Sequence, residues 1–425
     1  MTTMRRTPFL AAFAALAIAP PWVELRPFYE DLHAHPELSS QETRTAAKLA
    51  ARLTTLGFDV TTGVGKTGVV GLLKNGDGPV VMLRTEMDAL PVEEKTGLAF
   101  ASRETATNPR GETVPVMHAC GHDVHMTAWA GAAAALAADR KSWRGTLMMV
   151  AQPAEETGRG AKAMLDDGLF TRFPRPDYAF SIHDAETLPA GTAGVRPGAI
   201  YASADSIDMV VHGKGGHGAR PHLTVDPVVI AAKIVVSLQT LVSRENDPFE
   251  PAVVTVGSIH GGTKHNIIPD EVRMQLTVRA YKPEVRDKLL RGVERIARAE
   301  ADAAGAPQPP EVSVVESVPG VVNDPVLTGR VAAALEGALG ASRIREPQPV
   351  TAGEDFSRYG EAGVKTVLIF VGATAPELLE RARRDGTAVP GLHSPLFAPD
   401  AEPTVTTGIE ALVAASREAF RRGSR

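Results

Sequence analysis

The sequence predicts an α/β protein in which a mainly parallel sheet flanked by helices is interrupted by a smaller, ferredoxin-like domain of order β-α-β-β-α-β. Three observations favour this fold. The chain has 425 residues, too many for one ordinary domain. Up to about residue 200, short apolar runs alternate with helical stretches. From residue 204, the strands and helices follow the order of a split β-α-β unit.

The first part of the chain carries the signals of a parallel sheet with covering helices. The spacing from Ser39 to Glu42 is that of a capping box and predicts a helix that continues to Leu56. An alanine-rich stretch, Val124–Asp139, predicts a second helix. Three apolar runs bounded by turn or polar residues predict buried parallel strands. They are Val80–Leu83, Thr146–Ala151 and Tyr178–Ile182.

The insert and the return to the first sheet follow in order. The insert is predicted to comprise strand Ile207–His212, a helix from Asp226-Pro227 to Ser243, strands Val253–Ile259 and Val272–Ala280, a helix from Pro283 to about Ala304, and strand Val312–Glu316. Helix Asn323–Leu339, strand Thr366–Val371 and helix Thr406–Arg421 then complete the larger domain. The predicted organisation is therefore a larger domain of residues 20–203 and 318–425, interrupted by residues 204–317.

Residues 1–19 have the features of a signal peptide. Arg5 and Arg6 form a basic region, and Phe9–Ala19 is an apolar run of 11 residues with small-x-small cleavage patterns. This run is shorter than the roughly 20 residues that a membrane span needs. We therefore expect an exported protein, periplasmic or secreted, without a membrane span. The arginine pair also loosely fits the twin-arginine pattern.

Composition excludes some classes of function. The net charge of −5 provides no basic surface for nucleic acid, so no nucleic-acid partner is expected. The chain contains a single cysteine, Cys120, which excludes an intramolecular disulfide. The thiol of Cys120 must therefore have a role other than in a disulfide within the chain.

Residues that can bind metal ions follow three of the predicted strands. Glu86 and Asp88 follow the first strand, Glu155 and Glu156 follow the second, and His183 ends the third. In open α/β sheets, ligands bind at the carboxyl ends of the strands. We therefore expect these side chains at one edge of the sheet.

Cys120 and His122 precede the alanine-rich helix and can face the same way in an extended segment, since they are two residues apart. A thiolate beside an imidazole suits zinc or a similar metal. The alternative, a buried structural cysteine with a hydrogen-bonded histidine, would be favoured without the carboxylates at the strand ends. Those carboxylates favour a metal site.

Glu155 and Glu156 are expected to have different roles, because neighbouring side chains in an extended segment point apart. One can bind metal while the other acts as general base. The alternative is a solvated acidic turn. His393 is the natural remaining ligand, although alone it would more often be a surface histidine.

Long motifs give the chain a resemblance to a known family. They are LRTEMDALP, MHACGHD, QPAEETGRGA, GKGGHGARPH, HNIIPD and AGEDFS. From about residue 22 to its end, the sequence resembles the co-catalytic metallopeptidases of the aminoacylase and glutamate carboxypeptidase type. The most similar branch contains hippurate hydrolases and indole-acetyl-amino-acid hydrolases.

The resemblance implies a catalytic domain, a lid and dimerisation domain formed by the insert, and two divalent metal ions per subunit (zinc, or manganese, cobalt or nickel). Glu155 would be the general base, and Asp88 would orient a metal ligand. In the insert, His217 would stabilise the oxyanion, in the site of a neighbouring subunit of a homodimer. The implied ligands are Cys120, His122, Glu156, His183 and His393. The implied substrate-binding residues are Asn266 and Arg279, the latter suited to pair with a carboxylate.

Two departures from the branch lead to further expectations. Glu86 replaces the more usual aspartate, which is expected to place a longer carboxylate near the first metal. His183 is followed by Asp184-Ala185 where valine and tryptophan are common, and this change is expected to reshape the acyl pocket.

The sequence thus predicts a metal-dependent amidohydrolase that cleaves the amide bond of small N-acyl-amino acids such as hippurate-like, acetyl- or indole-acetyl-amino acids. A dipeptidase or carboxypeptidase of the same superfamily is the first alternative. A hydrolase with Cys120 as nucleophile and His122 as base is less favoured. So is an exported binding protein that retains the fold without turnover.

Overall fold

The computed structural model describes residues 20–421, so the predicted signal peptide, residues 1–19, lies outside the described residues. The helices are α1 (Trp22–Ala34), α2 (Thr43–Thr55), α3 (His122–Ala138), α4 (Gly160–Asp166), α5 (Leu169–Arg172), α6 (Pro227–Thr240), α7 (Pro283–Ala303), α8 (Pro325–Leu339), α9 (Ser357–Glu361), α10 (Pro376–Asp385) and α11 (Ala401–Phe420). The strands are β1 (Asp59–Val64), β2 (Gly68–Asn75), β3 (Val80–Glu86), β4 (Thr105–Thr107), β5 (Thr113–Pro115), β6 (Gly145–Gln152), β7 (Tyr178–Pro189), β8 (Ala193–Gly194), β9 (Gly198–Ala199), β10 (Ser203–His212), β11 (Gly216–His217), β12 (Ala252–His260), β13 (Ile267–Ile268), β14 (Glu271–Ala280), β15 (Glu311–Val318), β16 (Val322–Asn323), β17 (Ile344–Arg345) and β18 (Lys365–Thr374).

The chain forms two compact units. The larger comprises the described part of Met1–Pro197, Asn323–Pro347 and Ala362–Arg425, and the smaller comprises Gly198–Val322 and Gln348–Glu361. The smaller unit extends beyond the predicted insert of 204–317 at both ends. It also takes in Gln348–Glu361, because the backbone of Val350 pairs with Ile200 and Ala202. Such a long-range pairing leaves no local sequence signal.

The sheet of the larger unit has the strand order β1-β2-β6-β3-β7-β18-β8-β17. Its centre, β6-β3-β7-β18, is parallel, as the three apolar runs and the later strand predicted. Val81, Leu83 and Phe180 of these strands are buried in one core with Trp129 of α3. Helices α3 and α11 pack against each other and against this sheet, so the strands are covered as buried parallel strands require.

The smaller unit contains the predicted β-α-β-β-α-β order. Its four long strands form an antiparallel sheet in the order β12-β14-β10-β15, which is the ferredoxin-like arrangement. Helices α6 and α7 pack against each other and against β14. Alternate residues of β10, such as Ile207, Met209 and Val211, are buried in the core of this unit.

Within residues 20–421, one helical segment, Pro227–Glu245, is long and apolar enough to cross a membrane by length and composition. In this structure, Ile230, Ile234 and Leu238 form a stripe that is buried in the core of the smaller unit. The apolar composition of α6 is therefore partly explained by packing on a protein core. Val229 and Val236, outside that stripe, are 52% and 71% exposed.

The predicted capping box does not form, although helix α2 does. Ser39 donates its hydroxyl hydrogen to the Asp88 carboxylate, and the first amides of α2 are capped by Glu37, which accepts from the N–H groups of Arg44 and Thr45. Glu42 is fully buried and points away from its own helix. The motif Ser39–Glu42 is thus used for tertiary contacts.

Candidate metal centre

The predicted metal ligands of the larger unit lie at the carboxyl ends of the central strands. Glu86 is the last residue of β3, and Glu155 and Glu156 lie in a short 3₁₀ turn that follows β6. His183 does not end its strand, because β7 continues to Pro189 along β18. It lies, however, just beyond Ser181, the last residue that pairs with β3. Its side chain therefore reaches the edge where the other strands stop.

Five predicted ligands form two groups that share Cys120. In the first group, the ligand atoms of Cys120, His122 and His183 all lie within 4.8 Å of one another. In the second, those of Cys120, Glu156 and His393 do so as well. The Sγ of Cys120 is 3.7 Å from Nε2 of His183. Cys120 is thus the side chain common to both potential metal positions.

The backbone fixes which nitrogen each buried histidine presents. Nδ1 of His122 is 2.7 Å from the carbonyl oxygen of Asp88, and Nδ1 of His183 is 2.8 Å from that of Asp184. Donation at Nδ1 places the acceptor lone pair on Nε2, which is the usual arrangement of a metal-ligating histidine. Within residues 20–421, Nε2 of His122 is buried without a hydrogen-bond partner. This orphaned nitrogen, with a thiol, further imidazoles and a carboxylate around it, fits a zinc-like divalent ion.

His393 reaches the site through an uncommon backbone conformation. It has a φ of +65°, in the left-handed region, and its N–H donates to the carbonyl oxygen of Ala119 at 2.7 Å. Its Nε2 is 3.5 Å from Oε2 of Glu156, and its side chain is 55% exposed. The contact with Ala119 anchors this histidine beside Cys120, on the open side of the group.

Asp88 holds the turn that carries both glutamates. Its carboxylate accepts from the N–H groups of Glu155 and Glu156, at 3.1 and 3.0 Å, and from the hydroxyl of Ser39 at 2.6 Å. Its backbone carbonyl accepts from His122. Asp88 therefore contacts His122 and also fixes the backbone of the general-base candidate, which sequence reasoning missed.

The surrounding charges favour a cation at this edge. Burial raises the pKa of the Cys120 thiol well above its usual value, and Glu156 and Glu155 raise it further. Burial lowers the pKa of His122, but the hydrogen bond to Asp88 and nearby carboxylates outweigh it and raise the pKa to about 10. Buried carboxylates contribute to both shifts, and a bound divalent ion would compensate their negative charge.

Glu86 at the end of β3 is held by two buried side chains. Its buried carboxylate pairs with Arg84 and lies 3.1 Å from Nδ1 of His125. Nε2 of the same histidine is 3.1 Å from Oδ1 of Asp184. Arg84 and His125 therefore engage the carboxylate of Glu86. The contacts with His125 and Asp184 were missed because these residues are far from Glu86 in the sequence.

Asp184 also points inward, toward His125 and Gly121. A Cβ at Gly121, which has a φ of +74°, would lie 2.0 Å from Oδ2 of Asp184. The carboxylate thus lies against the backbone between Cys120 and His122, and only glycine fits there. Asp184 is therefore packed against the segment that carries Cys120 and His122.

The three predicted residues of the insert lie in the smaller unit. His217 in β11 pairs with Ile267 in β13, and the N–H of Gly218 donates to the carbonyl oxygen of Asn266 at 2.9 Å. His217 and Asn266 are therefore neighbours, and both are exposed. Arg279 lies apart from them in β14 and is half-buried. Burial lowers the pKa of Arg279, and among the described residues it has no hydrogen-bond or ion-pair partner within range.

The chain is similar to known proteins over most of its length. Residues 82–383 match Peptidase family M20/M25/M40, and the chain belongs to this family. It is 39% identical over 333 residues to thermostable carboxypeptidase 1 of Saccharolobus solfataricus, covering 77% of this chain and 80% of that protein. It is 39% identical over 284 residues to the hippurate hydrolase of Campylobacter jejuni, covering 66% and 70% of the two chains.

A solved structure of the same family shares the fold. The dinuclear metal-binding peptidase of the M20 family from Bacillus subtilis aligns with a TM-score of 0.75 and 30% sequence identity. The alignment covers 93% of this chain and 97% of that one. The fold predicted from the sequence and the resemblance to this family are therefore confirmed.

The metal content of variants tests whether Cys120 belongs to both groups of ligands. We expect Cys120→Ala to lose both bound ions, because it removes a ligand from each group. His393→Ala should lose only one, since His393 belongs to one group. Zinc per chain, measured by mass spectrometry after desalting, distinguishes the variants. His265→Ala, in an exposed loop of the smaller unit, is the control and should bind as the wild type does. Full zinc content in Cys120→Ala would contradict the assignment.

Proposed function

We propose that the protein is a metal-dependent amidohydrolase that cleaves the amide bond of small N-acyl-amino acids. The observation that carries this proposal is the pair of ligand groups sharing Cys120, with the carboxylate of Glu155 beside them. The ligand atoms of Glu155, His122 and Glu156 lie within 4.8 Å of one another. A carboxylate in this position is within reach of water and substrate at the metal centre.

We propose that two divalent ions occupy the site, one held by Cys120, His122 and His183 and the other by Cys120, Glu156 and His393. When bound, such ions polarise the amide carbonyl and make water acidic enough to lose a proton near neutral pH. The donor set of sulfur, nitrogen and oxygen supports zinc first, with manganese, cobalt or nickel as alternatives.

Glu155 is proposed as the general base and acid. It takes a proton from the attacking water and later gives it to the nitrogen of the leaving amine. Its side chain is largely buried, and its backbone is fixed by Asp88. A fixed base avoids the cost of reorientation in each cycle. Glu156, held by the same carboxylate, remains available as a ligand.

Arg279 is proposed to bind the carboxylate of the substrate, and Asn266 is proposed as a second substrate-binding residue. A half-buried guanidinium without a protein partner among the described residues has donors available for a ligand anion, and a bidentate pair with a carboxylate is its strongest interaction. His217 is proposed to stabilise the negative charge on the carbonyl oxygen in the transition state.

The relatives support two substrate classes. A hippurate hydrolase cleaves an N-acyl-amino acid, whereas a carboxypeptidase acts on peptides, and both are about equally similar to this chain. Both reactions break an amide next to a free carboxylate, which Arg279 could recognise. We favour N-acyl-amino acids, with dipeptides as the alternative. A panel of N-benzoyl-, N-acetyl- and indole-acetyl-amino acids and dipeptides distinguishes them.

A mechanism with Cys120 as nucleophile has less support. Nucleophilic cysteines have a lowered pKa and partial exposure. Cys120 is buried, and burial together with carboxylates raises its pKa. These conditions favour a thiol that becomes a thiolate only when it binds a cation.

We also propose a homodimer formed through the smaller unit, in which His217 serves the site of the neighbouring subunit. The exposed Val228, Val229 and Val236 on α6 support an interface there, since exposed apolar residues grouped on one helix favour association. Export, proposed from the basic and apolar regions of residues 1–19, would place this enzyme in the periplasm or outside the cell.

The role of Glu155 can be tested by a single substitution. We expect Glu155→Gln to lower kcat by about 10²- to 10⁴-fold, the range typical for removal of a general base. Zinc content should remain unchanged, because Glu155 is not one of the proposed ligands. Glu380→Gln, at an exposed position of α10, is the control. Near-normal turnover of zinc-loaded Glu155→Gln would refute the assigned role.

Two substrates, one with and one without a carboxylate, distinguish carboxylate recognition by Arg279 from a general loss of activity. We expect Arg279→Ala to raise KM for N-benzoylglycine by about tenfold or more, as the loss of a charge-assisted hydrogen bond implies. Hydrolysis of N-benzoylglycinamide, which is expected to be poor because this substrate lacks the carboxylate, should change little. Arg273→Ala is a matched control, because Arg273 lies on the same strand and the same face but is exposed. Equal effects on both substrates would count against carboxylate recognition.

A further inference from the structure

We propose that Glu42 is a positioning residue that fixes the backbone of the turn before and around Glu155. Its carboxylate accepts from the N–H of Ala154 at 2.9 Å, across 112 residues of sequence. Ala154 immediately precedes Glu155, the proposed general base. The inference therefore rests on the proposed function and adds a residue to its machinery.

Glu42 and Asp88 together engage three successive amides. Glu42 accepts from Ala154, and Asp88 accepts from Glu155 and Glu156. Both carboxylates are fully buried. Two fixed acceptors along three consecutive residues leave the turn little freedom to rotate, so the side chains of both glutamates leave the backbone in defined directions.

The turn needs such support because its first residue is in an unfavourable conformation. Ala154 has φ +51° and ψ +39°, in the left-handed region that residues with a Cβ rarely adopt. Conformations of this kind persist when surrounding contacts impose them. The carbonyl of Ala154 accepts from the N–H of Gly160 at 3.1 Å, and a Cβ at Gly160 would lie 1.5 Å from the oxygen of Pro153. The turn is thus held on both sides, with Glu42 satisfying its first N–H.

Glu42 is itself fixed by other contacts of its carboxylate. Oε1 also accepts from the N–H of Ser40 at 2.6 Å, and Oε2 accepts from the hydroxyl of Thr67 at 2.6 Å. A buried acceptor with three donors has one orientation. This explains why Glu42 does not cap its own helix, a task that Glu37 performs.

Two substitutions separate the effect of the length of the Glu42 side chain from the effect of its charge. Glutamine keeps an oxygen that can accept from Ser40 and Ala154, and its amide can donate to the Thr67 hydroxyl. Aspartate keeps the charge but is one methylene shorter, so it cannot reach both Thr67 and Ala154. The inference therefore predicts that Glu42→Gln is tolerated and that Glu42→Asp is not.

The test compares these variants with a matched control in the full-length, zinc-loaded protein. We expect Glu42→Asp to lower kcat by about 10- to 100-fold, the range for residues that support a metal site from outside. KM should change less than about threefold, since the substrate contacts are untouched, and Glu42→Gln should retain kcat within about threefold. Glu37→Asp, which disturbs the cap of the same helix without touching the turn, is the control and should keep kcat.

Hydrogen exchange provides a readout that does not depend on a substrate. The amides of Ala154–Glu156 should exchange faster in Glu42→Asp than in the wild type and in Glu37→Asp. Unchanged exchange of these amides, or unchanged kcat in Glu42→Asp, overturns the inference. An equal loss of kcat in Glu37→Asp does so too, because it indicates general destabilisation. A wild type inactive on the whole substrate panel instead refutes the proposed function, while exchange still decides the role of Glu42.

Discussion

A buried thiol surrounded by carboxylates is the constraint on which the rest of this site depends. Cys120 is buried beside Glu156, with Glu155 close enough to act on it electrostatically, in a place where water cannot stabilise its charge. A thiolate there is unfavourable unless a cation compensates it. Asp88, Glu86 and Glu156 raise the pKa of His122, which shows again that this edge of the sheet attracts positive charge. A metal ion bound as proposed would compensate both groups, and the shared position of Cys120 would allow one thiolate to serve two ions.

The sheet and the loops at its carboxyl end fix the positions of these groups. Backbone carbonyls orient His122 and His183, the backbone of Ala119 fixes His393, and buried carboxylates hold the turn with both glutamates. Catalysis by a metal centre needs this precision, because small displacements of a base or ligand cost large factors in rate. The fold supplies it by placing the site where parallel strands end.

The sequence was informative where chemistry follows directly from strand order. Carboxylates after two predicted strands and a histidine after a third indicated the edge at which the ligands lie, and the alternation of Cys120 and His122 indicated a shared face. The insert was also recognisable, because its strands and helices carry regular periodicity. The homologous proteins then confirmed the family and the fold.

Contacts between residues far apart in the sequence explain the features that the sequence did not predict. Ser39 and Glu42 have the spacing of a capping box, but their partners are Asp88 and Ala154, which no local pattern identifies. Glu86 was expected near the first metal, but its contact with His125, 39 residues away, was not predicted. Both faces of a parallel strand are buried, so periodicity does not say toward which face a polar side chain at its end points.

X-ray absorption spectroscopy at the zinc edge of the zinc-loaded protein tests the central claim most directly. If Cys120 binds both ions, the spectrum will contain a sulfur shell at about 2.3 Å with about one sulfur per zinc. This shell will disappear in Cys120→Asp, whose carboxylate supplies only oxygen. A wild-type spectrum that is explained by nitrogen and oxygen ligands alone would contradict the account.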